Sequence, residues 1–272
     1  MDKEETIVKK IPDIFPSKLS FDDILQKVCC NSNLEIKPDS SAGDFPNTSI
    51  YEVTPQDYLE TAAELLKNEA VTMNKEIVIR TLNGAIDEEI DIFLTVLNIS
   101  SKIKKKNLSA KEKLNFIYSL GLIPKESIDK IISIRNEVEH EYVKVPESLD
   151  IKAYYELVVN AVRIIELFLE LIIVRNQLEF SVVNLKYDID AYALDLQYNQ
   201  DEVSFKFEIR YLHRKDIPEK GCVIKFDGSK NISEFEKGFK FFLIMMKYSI
   251  DGNTPLMKKN IKKIIDEEDF WI

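Results

Sequence analysis

Hydrophobic residues recur at helical spacing through the middle of the chain. Ile79, Ile86 and Phe93 belong to one such stripe, which predicts a helix over residues 75–98. Capping residues and prolines predict four further helices, which begin near residues 54, 109, 124 and 149. We therefore expect a bundle of helices over residues 51–180.

The last of these helices, expected over residues 149–178, is apolar on nearly all sides. Its run from Ile164 to Val174 is interrupted only by Glu166 and Glu170. A helix that is apolar all round must be covered all round. The bundle covers one side, and either a second domain or a second subunit is expected to cover the other.

The pattern changes to a period of two after residue 180. Phe205, Phe207 and Ile209 alternate with polar residues, which predicts a half-buried strand. Similar alternation near residues 185–189 and 192–198, with short Asp- and Asn-rich connections, favours an antiparallel meander. A capping box near residue 233 then opens a helix. The sequence thus predicts a mainly helical α+β protein, in which the bundle is followed by a small antiparallel-sheet-plus-helix domain over residues 181–272.

The first part of the chain has no clear period. Pro12, Pro16, Pro38 and Pro46 interrupt it, and turn-forming residues cluster near its end. We expect residues 1–50 to form an irregular N-terminal arm or a small subdomain.

The overall charge limits how the chain could hold nucleic acid. Its formal net charge is -10, from 37 basic and 47 acidic residues. Proteins that bind long nucleic acids usually present a basic face, so any such surface here must be local. A lysine-rich stretch is the candidate RNA-binding segment, with a solvated loop as the alternative: Lys102, Lys104, Lys105 and Lys106.

Several functional classes are disfavoured by what the sequence lacks. Glycine-rich phosphate-binding patterns are absent, which argues against dinucleotide-binding and P-loop enzymes. Three cysteines and two histidines make neither a disulfide framework nor a zinc site. The N-terminus lacks the features of a signal peptide, and the most apolar run is too short to cross a membrane. We expect a cytoplasmic protein with no membrane association, metal or cofactor.

The segment from Arg135 to Tyr142 reads R-N-x3-H-x-Y and contains one of the two histidines. An imidazole titrates near neutral pH and can move a proton, and a guanidinium matches the geometry of a phosphate. On an ideal helix Arg135 and His140 lie about 140° apart and ~7.5 Å along the axis, whereas Asn136 and His140 share a face. One phosphate would meet both Arg135 and His140 if the helix loosens before Tyr142, or if a two-fold partner brings a second copy of the site.

These residue types together suggest RNA cleavage without a metal ion. One histidine would take the proton from the ribose 2′-hydroxyl, and the other would protonate the departing 5′-oxygen. Arg135 would stabilise the phosphorane, and Asn136 would orient the imidazole or bind a phosphate oxygen.

A helical bundle that carries R-N-x3-H after the turn Gly121–Pro124 resembles the HEPN superfamily of nucleotide-binding domains. The R-x4-H-x-Y version is similar to the toxins of HEPN/minimal-nucleotidyltransferase pairs, and the resemblance covers about residues 54–178. It implies a homodimeric, metal-independent endoribonuclease of a toxin–antitoxin, abortive-infection or antiviral-defence system. Its partners would be RNA and an antitoxin or regulatory protein. The resemblance also implies catalytic roles for Arg135 and His140, a supporting polar role for Asn136, and modification of Tyr142.

A second class of function stays open beside the nuclease. An arginine and a histidine on a helix often serve only as an ion-pair partner and a packed ring, and a fold can persist without chemistry. The acidic charge and the apolar fifth helix favour a non-catalytic HEPN-like scaffold that engages a partner protein or a nucleotide. Degradation of RNA by the purified protein distinguishes the two.

Overall fold

The computed structural model describes residues 20–43, 53–67, 74–99, 108–139, 145, 148–212 and 222–268. Within these ranges the chain forms eight α-helices, one π-helical segment and five strands. The predicted class, α+β and mainly α, is confirmed. No helix among the described residues is both long enough and apolar enough to cross a membrane.

The described residues fall into two compact units. The helical unit lies within Pro46–Leu171, and the sheet unit combines residues from Met1–Phe45 and Ile172–Phe270. The helical unit consists of α2 (Pro55–Lys67), α3 (Asn74–Val96), α4 (Ala110–Ser119), α5 (Lys125–Glu139) and most of α6 (Ile151–Val174). The sheet unit consists of α1 (Phe21–Ile24), a π-helical turn (Leu25–Cys29), β1 (Leu34–Ala42), β2 (Gln177–Asn184), β3 (Ile189–Asn199), β4 (Ser204–Tyr211), β5 (Cys222–Asp227), α7 (Ile232–Asp251) and α8 (Thr254–Ile265).

The apolar stripe of α3 forms the centre of the helical unit. Ile79, Ile86 and Phe93 are fully buried, because residues at this spacing share one face of the helix. The ends of α4 follow the sequence signals. Ser109 and Glu112 form the predicted capping box, and Gly121, just after the helix, adopts the left-handed conformation at φ 79° that favours glycine.

The sheet is a five-stranded antiparallel meander in the order β1-β2-β3-β4-β5. Phenylalanines of β4 and α7 fill one of its faces. Phe205 contacts Phe239 edge to face, with ring centroids 5.5 Å apart, and Phe207 contacts Phe241 at 5.2 Å. Burying aromatic side chains contributes most of the stability of such a core.

The opposite side of the sheet carries paired charges. Arg210 of β4 binds Asp195 of β3 across the strands, with Nε 2.8 Å from Oδ2, and Lys206 lies 2.7 Å from Glu208. Because acidic and basic side chains alternate and pair there, these strands do not present a basic surface of the kind that tracks a nucleic-acid backbone.

The N-terminal segment differs from the expected irregular arm. Residues 34–42 form the edge strand β1, which pairs with β2, and Phe21 packs into the aromatic core of the sheet unit. Only Leu34 and Ile36 of β1 are buried, and the register shifts between Pro38 and Ser40. A strand with so few apolar positions and an internal proline has no period-two signal, although an edge strand tolerates both features.

Two boundaries near residue 180 also differ from the prediction. The fifth helix was expected to reach residue 178, but α6 ends at Val174 and β2 begins at Gln177. The segment 185–189, expected as a strand, is mostly a turn, because Asn184 accepts hydrogen bonds from the backbone N–H groups of Lys186 and Asp188. Short apolar runs do not distinguish a buried strand from the continuation of a helix.

Phe21 should link the N-terminal segment to the sheet unit energetically. Its ring centroid lies 4.7 Å from that of Phe226 and 5.4 Å from that of Phe241. We expect Phe21→Ala to lower the free energy of unfolding of this unit by about 2–3 kcal/mol, because it leaves a cavity among the rings. Guanidinium unfolding measures the change, and amide hydrogen exchange in β4 and β5 locates it. The exposed Gln26→Ala serves as the control, and equal stability of both variants would contradict the packing role.

Candidate functional site at the end of α5

Helix α5 positions the first half of the predicted motif. Its apolar side is buried through Ile128, Ile131 and Ile134, which fixes the rotation of the helix about its axis. With this rotation Arg135 is half-buried and Asn136 is exposed. The two residues therefore point to different surroundings, as their neighbouring positions on a helix require.

Arg135 makes a two-pronged ion pair with Asp87 of α3. Nη1 lies 2.8 Å from Oδ1, and Nη2 lies 2.8 Å from Oδ2. The side chains are 15% and 29% exposed, respectively, so the pair is largely shielded from water. A planar guanidinium matches a carboxylate in this geometry, and the two parallel hydrogen bonds hold it in one orientation. Asp87 thus positions Arg135 and also compensates its charge.

A second arginine reaches the same end of α5. Nη2 of Arg80, on α3, donates to the backbone carbonyl of Val138 at 3.3 Å and to Oε1 of Glu76 at 2.9 Å. The last carbonyls of a helix lack partners within the helix, and a basic side chain there satisfies one of them. Arg80 therefore binds the backbone two residues before His140.

Asp87 belongs to a row of polar residues on α3, spaced four apart. Asn83 accepts a hydrogen bond from the Tyr154 hydroxyl of α6 at 2.8 Å, and Asp91 accepts one from Lys113 of α4 at 2.7 Å. Residues at this spacing lie above one another on a helix. Three successive members of the row thus contact three different helices, and the Asp87–Arg135 pair is the contact made to α5.

The structure describes only part of the predicted site. Its description of α5 ends at Glu139. The other predicted residues lie outside the described ranges, so their distances from Arg135 and Asn136 stay predictions: His140, Tyr142, Lys102, Lys104, Lys105 and Lys106.

The sequence reasoning missed Asp87 and Arg80. Both lie on α3, about fifty residues before the motif, and neither belongs to a recognisable pattern. The available signal for Asp87 was the polar row itself, since residues 83, 87 and 91 are polar at helical spacing.

Glu89, also on α3, is a buried carboxyl. It is 4% exposed, and Oε1 has no hydrogen-bond partner among the described residues. Burial, with the nearby charges of Glu166 and Glu170 on α6, raises the pKa of Glu89 to about 8. Glu89 is therefore mostly protonated at neutral pH and adds little negative charge to the unit.

Chemically, the described part of the site can bind an anion through the guanidinium groups of Arg80 and Arg135. Each is paired with a carboxylate, and a planar guanidinium also matches the geometry of a phosphate. Within the described ranges, no group of three or more histidine, cysteine or acidic residues is arranged to hold a metal ion.

Comparisons of the chain with protein-family models, with curated proteins and with solved structures found no match. The resemblance to the HEPN superfamily therefore rests on the motif and its helical context alone.

The Asp87–Arg135 pair should couple α3 to α5 energetically. We expect Asp87→Ala and Arg135→Ala each to destabilise the helical unit, because each leaves a shielded charge without its partner. The double variant should cost less than the sum of the two, with a coupling energy of about 1–2 kcal/mol. Urea unfolding of the four proteins measures it. Additive effects would show that the pair contributes no net interaction.

Glu89 should make the stability of the helical unit depend on pH. Its pKa rises on folding from the ordinary 4.5 to about 8, so the folded state binds the proton more tightly than the unfolded state. The stability that Glu89 contributes should be fully present below pH 4.5, fall as the pH rises toward 8 and then level off, by roughly 3–5 kcal/mol in all.

Glu89→Gln tests this dependence, because an amide resembles the neutral carboxyl in shape and cannot lose a proton. We expect the variant to be more stable than the wild type at pH 8. Between pH 5 and pH 8, its free energy of unfolding should decrease much less than that of the wild type. Unfolding curves at several pH values measure the difference. The exposed Glu126→Gln on α5 is the matched control, and parallel curves for Glu89→Gln and the wild type would contradict the assignment.

Proposed function

We propose that this chain is a metal-independent endoribonuclease whose active site is composite and forms between two copies of the chain. Arg135 and His140 are its catalytic residues, and Asn136 supports them. The physiological role is that of a cytoplasmic toxin or antiviral-defence effector that acts by abortive infection. This proposal is consistent with the motif and with the resemblance to HEPN toxins.

One observation carries the proposal: two guanidinium groups meet the end of α5, next to a histidine in sequence. Arg135 is held by both oxygens of Asp87, and Arg80 hydrogen-bonds the carbonyl of Val138. His140 follows the last described residue of the helix. Fixed cationic forks beside a group that titrates near neutral pH are the components that phosphodiester cleavage requires.

The reaction begins at the ribose 2′-hydroxyl. One His140 removes its proton, and the 2′-oxygen forms a bond to phosphorus. Arg135 donates hydrogen bonds to the oxygens of the crowded phosphorane, where negative charge develops. The bond from phosphorus to the 5′-oxygen then breaks, and the His140 of the second copy gives that oxygen a proton. The products are a 2′,3′-cyclic phosphate and a free 5′-hydroxyl, so no oxidant or further reactant is needed.

Arg80 has a supporting role in this scheme. Its guanidinium is about half exposed, so it can contact a phosphate next to the scissile one while it remains bound to the helix end. The lysines at positions 102, 104, 105 and 106 are the further candidate contacts with RNA. Tyr142 is the residue through which a regulatory partner, such as an antitoxin, would modify the protein.

A second candidate function is favoured by the ion pair itself. Asp87 compensates Arg135 in a largely shielded geometry, which is how a purely structural arginine is held. Together with the charge of -10, this supports a non-catalytic HEPN-like scaffold that binds a partner protein or a nucleotide. Such a protein would form a stable complex and leave RNA intact at every protein concentration.

We expect His140→Ala and Arg135→Ala each to lower the rate of RNA cleavage at least about a hundredfold. Arg80→Gln should have a smaller effect, of about tenfold or less, because it only supports binding. The assay uses total RNA in the presence of a chelator, and the ends of the products are mapped. Lys130→Gln, an exposed change on α5, is the control.

The ion pair allows the two candidate functions to be separated. If the protein is a non-catalytic scaffold, the wild type leaves RNA intact, and Arg135→Ala and Asp87→Ala change only its stability. If Arg135 is catalytic, Arg135→Ala removes cleavage at temperatures where circular dichroism shows it folded. Undiminished cleavage by His140→Ala would overturn the proposed mechanism.

A further inference from the structure

One side of α6 carries a seam of four apolar residues and one asparagine, which are half-buried or exposed. Its members recur alternately at intervals of three and four residues, as in a coiled coil, and every one is at least partly exposed: Leu157, Asn160, Ile164, Leu167 and Leu171. Leu167 is 52% exposed. The residues on the other side of the helix, such as Val158, Ile165 and Phe168, are buried within the protein. The seam runs for about 21 Å along the axis.

Opposite charges flank this seam on one side only. Arg163 and Glu170 are seven residues apart, so they lie on the same edge of the helix about two turns from each other. Both are exposed, and among the described residues neither makes an ion pair. Arg163 is therefore available to a carboxylate that approaches from outside, and Glu170 is available to a cation.

We propose that α6 is the surface through which two copies of this chain associate, as an antiparallel pair related by a two-fold axis. In such a pair, the helix edge that carries Arg163 and Glu170 lies opposite the same edge of the partner helix. Arg163 of each copy then faces Glu170 of its partner, and Ile164 of each copy packs against the partner's Leu167. One register satisfies both conditions, because the two pairs are centred within about one residue of each other along the helix, between residues 165 and 167.

A parallel arrangement lacks this complementarity. In a parallel pair, the edge that carries Arg163 would face the opposite edge of the neighbouring helix. That edge carries Ala161 and Phe168, which are buried and uncharged. Asn160 fits the antiparallel register as well, because it lies at the end of the overlap, where its amide keeps contact with water. The charge complementarity and the position of Asn160 both indicate that the seam binds a second copy of the chain in the antiparallel orientation.

The acidic side chains near Glu170 give an independent reason for a cation at this place. Glu166 and Glu170 lie near the buried carboxyl of Glu89, whose Oε1 has no partner among the described residues. The negative charges of Glu166 and Glu170 repel each other there, and Glu89 stays mostly protonated. The partner's Arg163 would supply a positive charge to this region.

This inference goes beyond the proposed function. It shares with the proposed function the premise that two copies of the chain associate, and it adds the surface that they use. A chain that stays monomeric would overturn both, whereas a dimer that is indifferent to Arg163→Glu would overturn only this inference.

Charge exchange tests the arrangement directly. Sedimentation velocity over a range of protein concentrations gives the dissociation constant of the full-length chain. Arg163→Glu places two glutamates opposite each other at both ends of the pair, and Glu170→Arg places two arginines there. We expect each to weaken association at least about tenfold, because like charges then face each other across the interface. The double variant Arg163→Glu/Glu170→Arg restores opposite charges and should return the dissociation constant to within about threefold of the wild type.

All the exchanged side chains are exposed, so the variants should fold, which circular dichroism checks. Lys130→Glu, an exposed charge reversal on α5, is the matched control and should leave association unchanged. A wild-type chain that stays monomeric at every concentration would overturn the inference. So would a dimer that is indifferent to Arg163→Glu, or one that the double variant does not restore.

Discussion

The ion pair between Asp87 and Arg135 is the constraint on which the candidate site depends. It joins the polar row of α3 to the end of α5, and it fixes a guanidinium in one orientation at a largely shielded position. Removing either partner would leave a charge with poor access to water, which costs several kcal/mol when the burial is complete and less here. The orientation of Arg135 is therefore a property of the fold rather than of a bound ligand.

This pairing has two consequences that oppose each other. A pre-oriented arginine binds a phosphate with little further loss of conformational freedom, which favours catalysis. The same carboxylate reduces the positive charge that the phosphate meets. Arg80 offsets this reduction in part, since it brings a second guanidinium to the same helix end, although Glu76 is paired with it. A site of this kind would need a second copy to gather enough positive charge around one phosphodiester.

The sequence predicted those elements whose signals are local. The stripe on α3, the capping box of α4 and the alternation in β4 each follow from the period of burial along one segment. Strand β1 was missed because only Leu34 and Ile36 of its nine residues are buried, and its partner β2 lies more than 130 residues further along the chain. The start of β2 was assigned to the preceding helix, because only the three polar residues 175–177 separate the apolar run of α6 from Leu178, and no proline or glycine marks the boundary.

In the candidate site, too, local motifs could be predicted and contacts between distant segments could not. Arg135 and Asn136 were identifiable because they belong to a compact motif, whereas the partners that hold the end of α5 come from a helix about fifty residues earlier. Pairings of that kind depend on how helices pack, and no spacing rule encodes them. The buried carboxyl of Glu89 is a further example, since an acidic pair in a helix is usually a solvated face.

Mixing of subunits tests the composite site most directly. Wild-type chains are allowed to exchange with His140→Ala chains in increasing proportion, and RNA cleavage is measured at constant total protein. If both copies contribute a histidine to one site, only wild-type pairs are active, and activity falls as the square of the wild-type fraction, to about one quarter in an equal mixture. A linear fall, to about one half, would show that each chain acts by itself and would contradict the account.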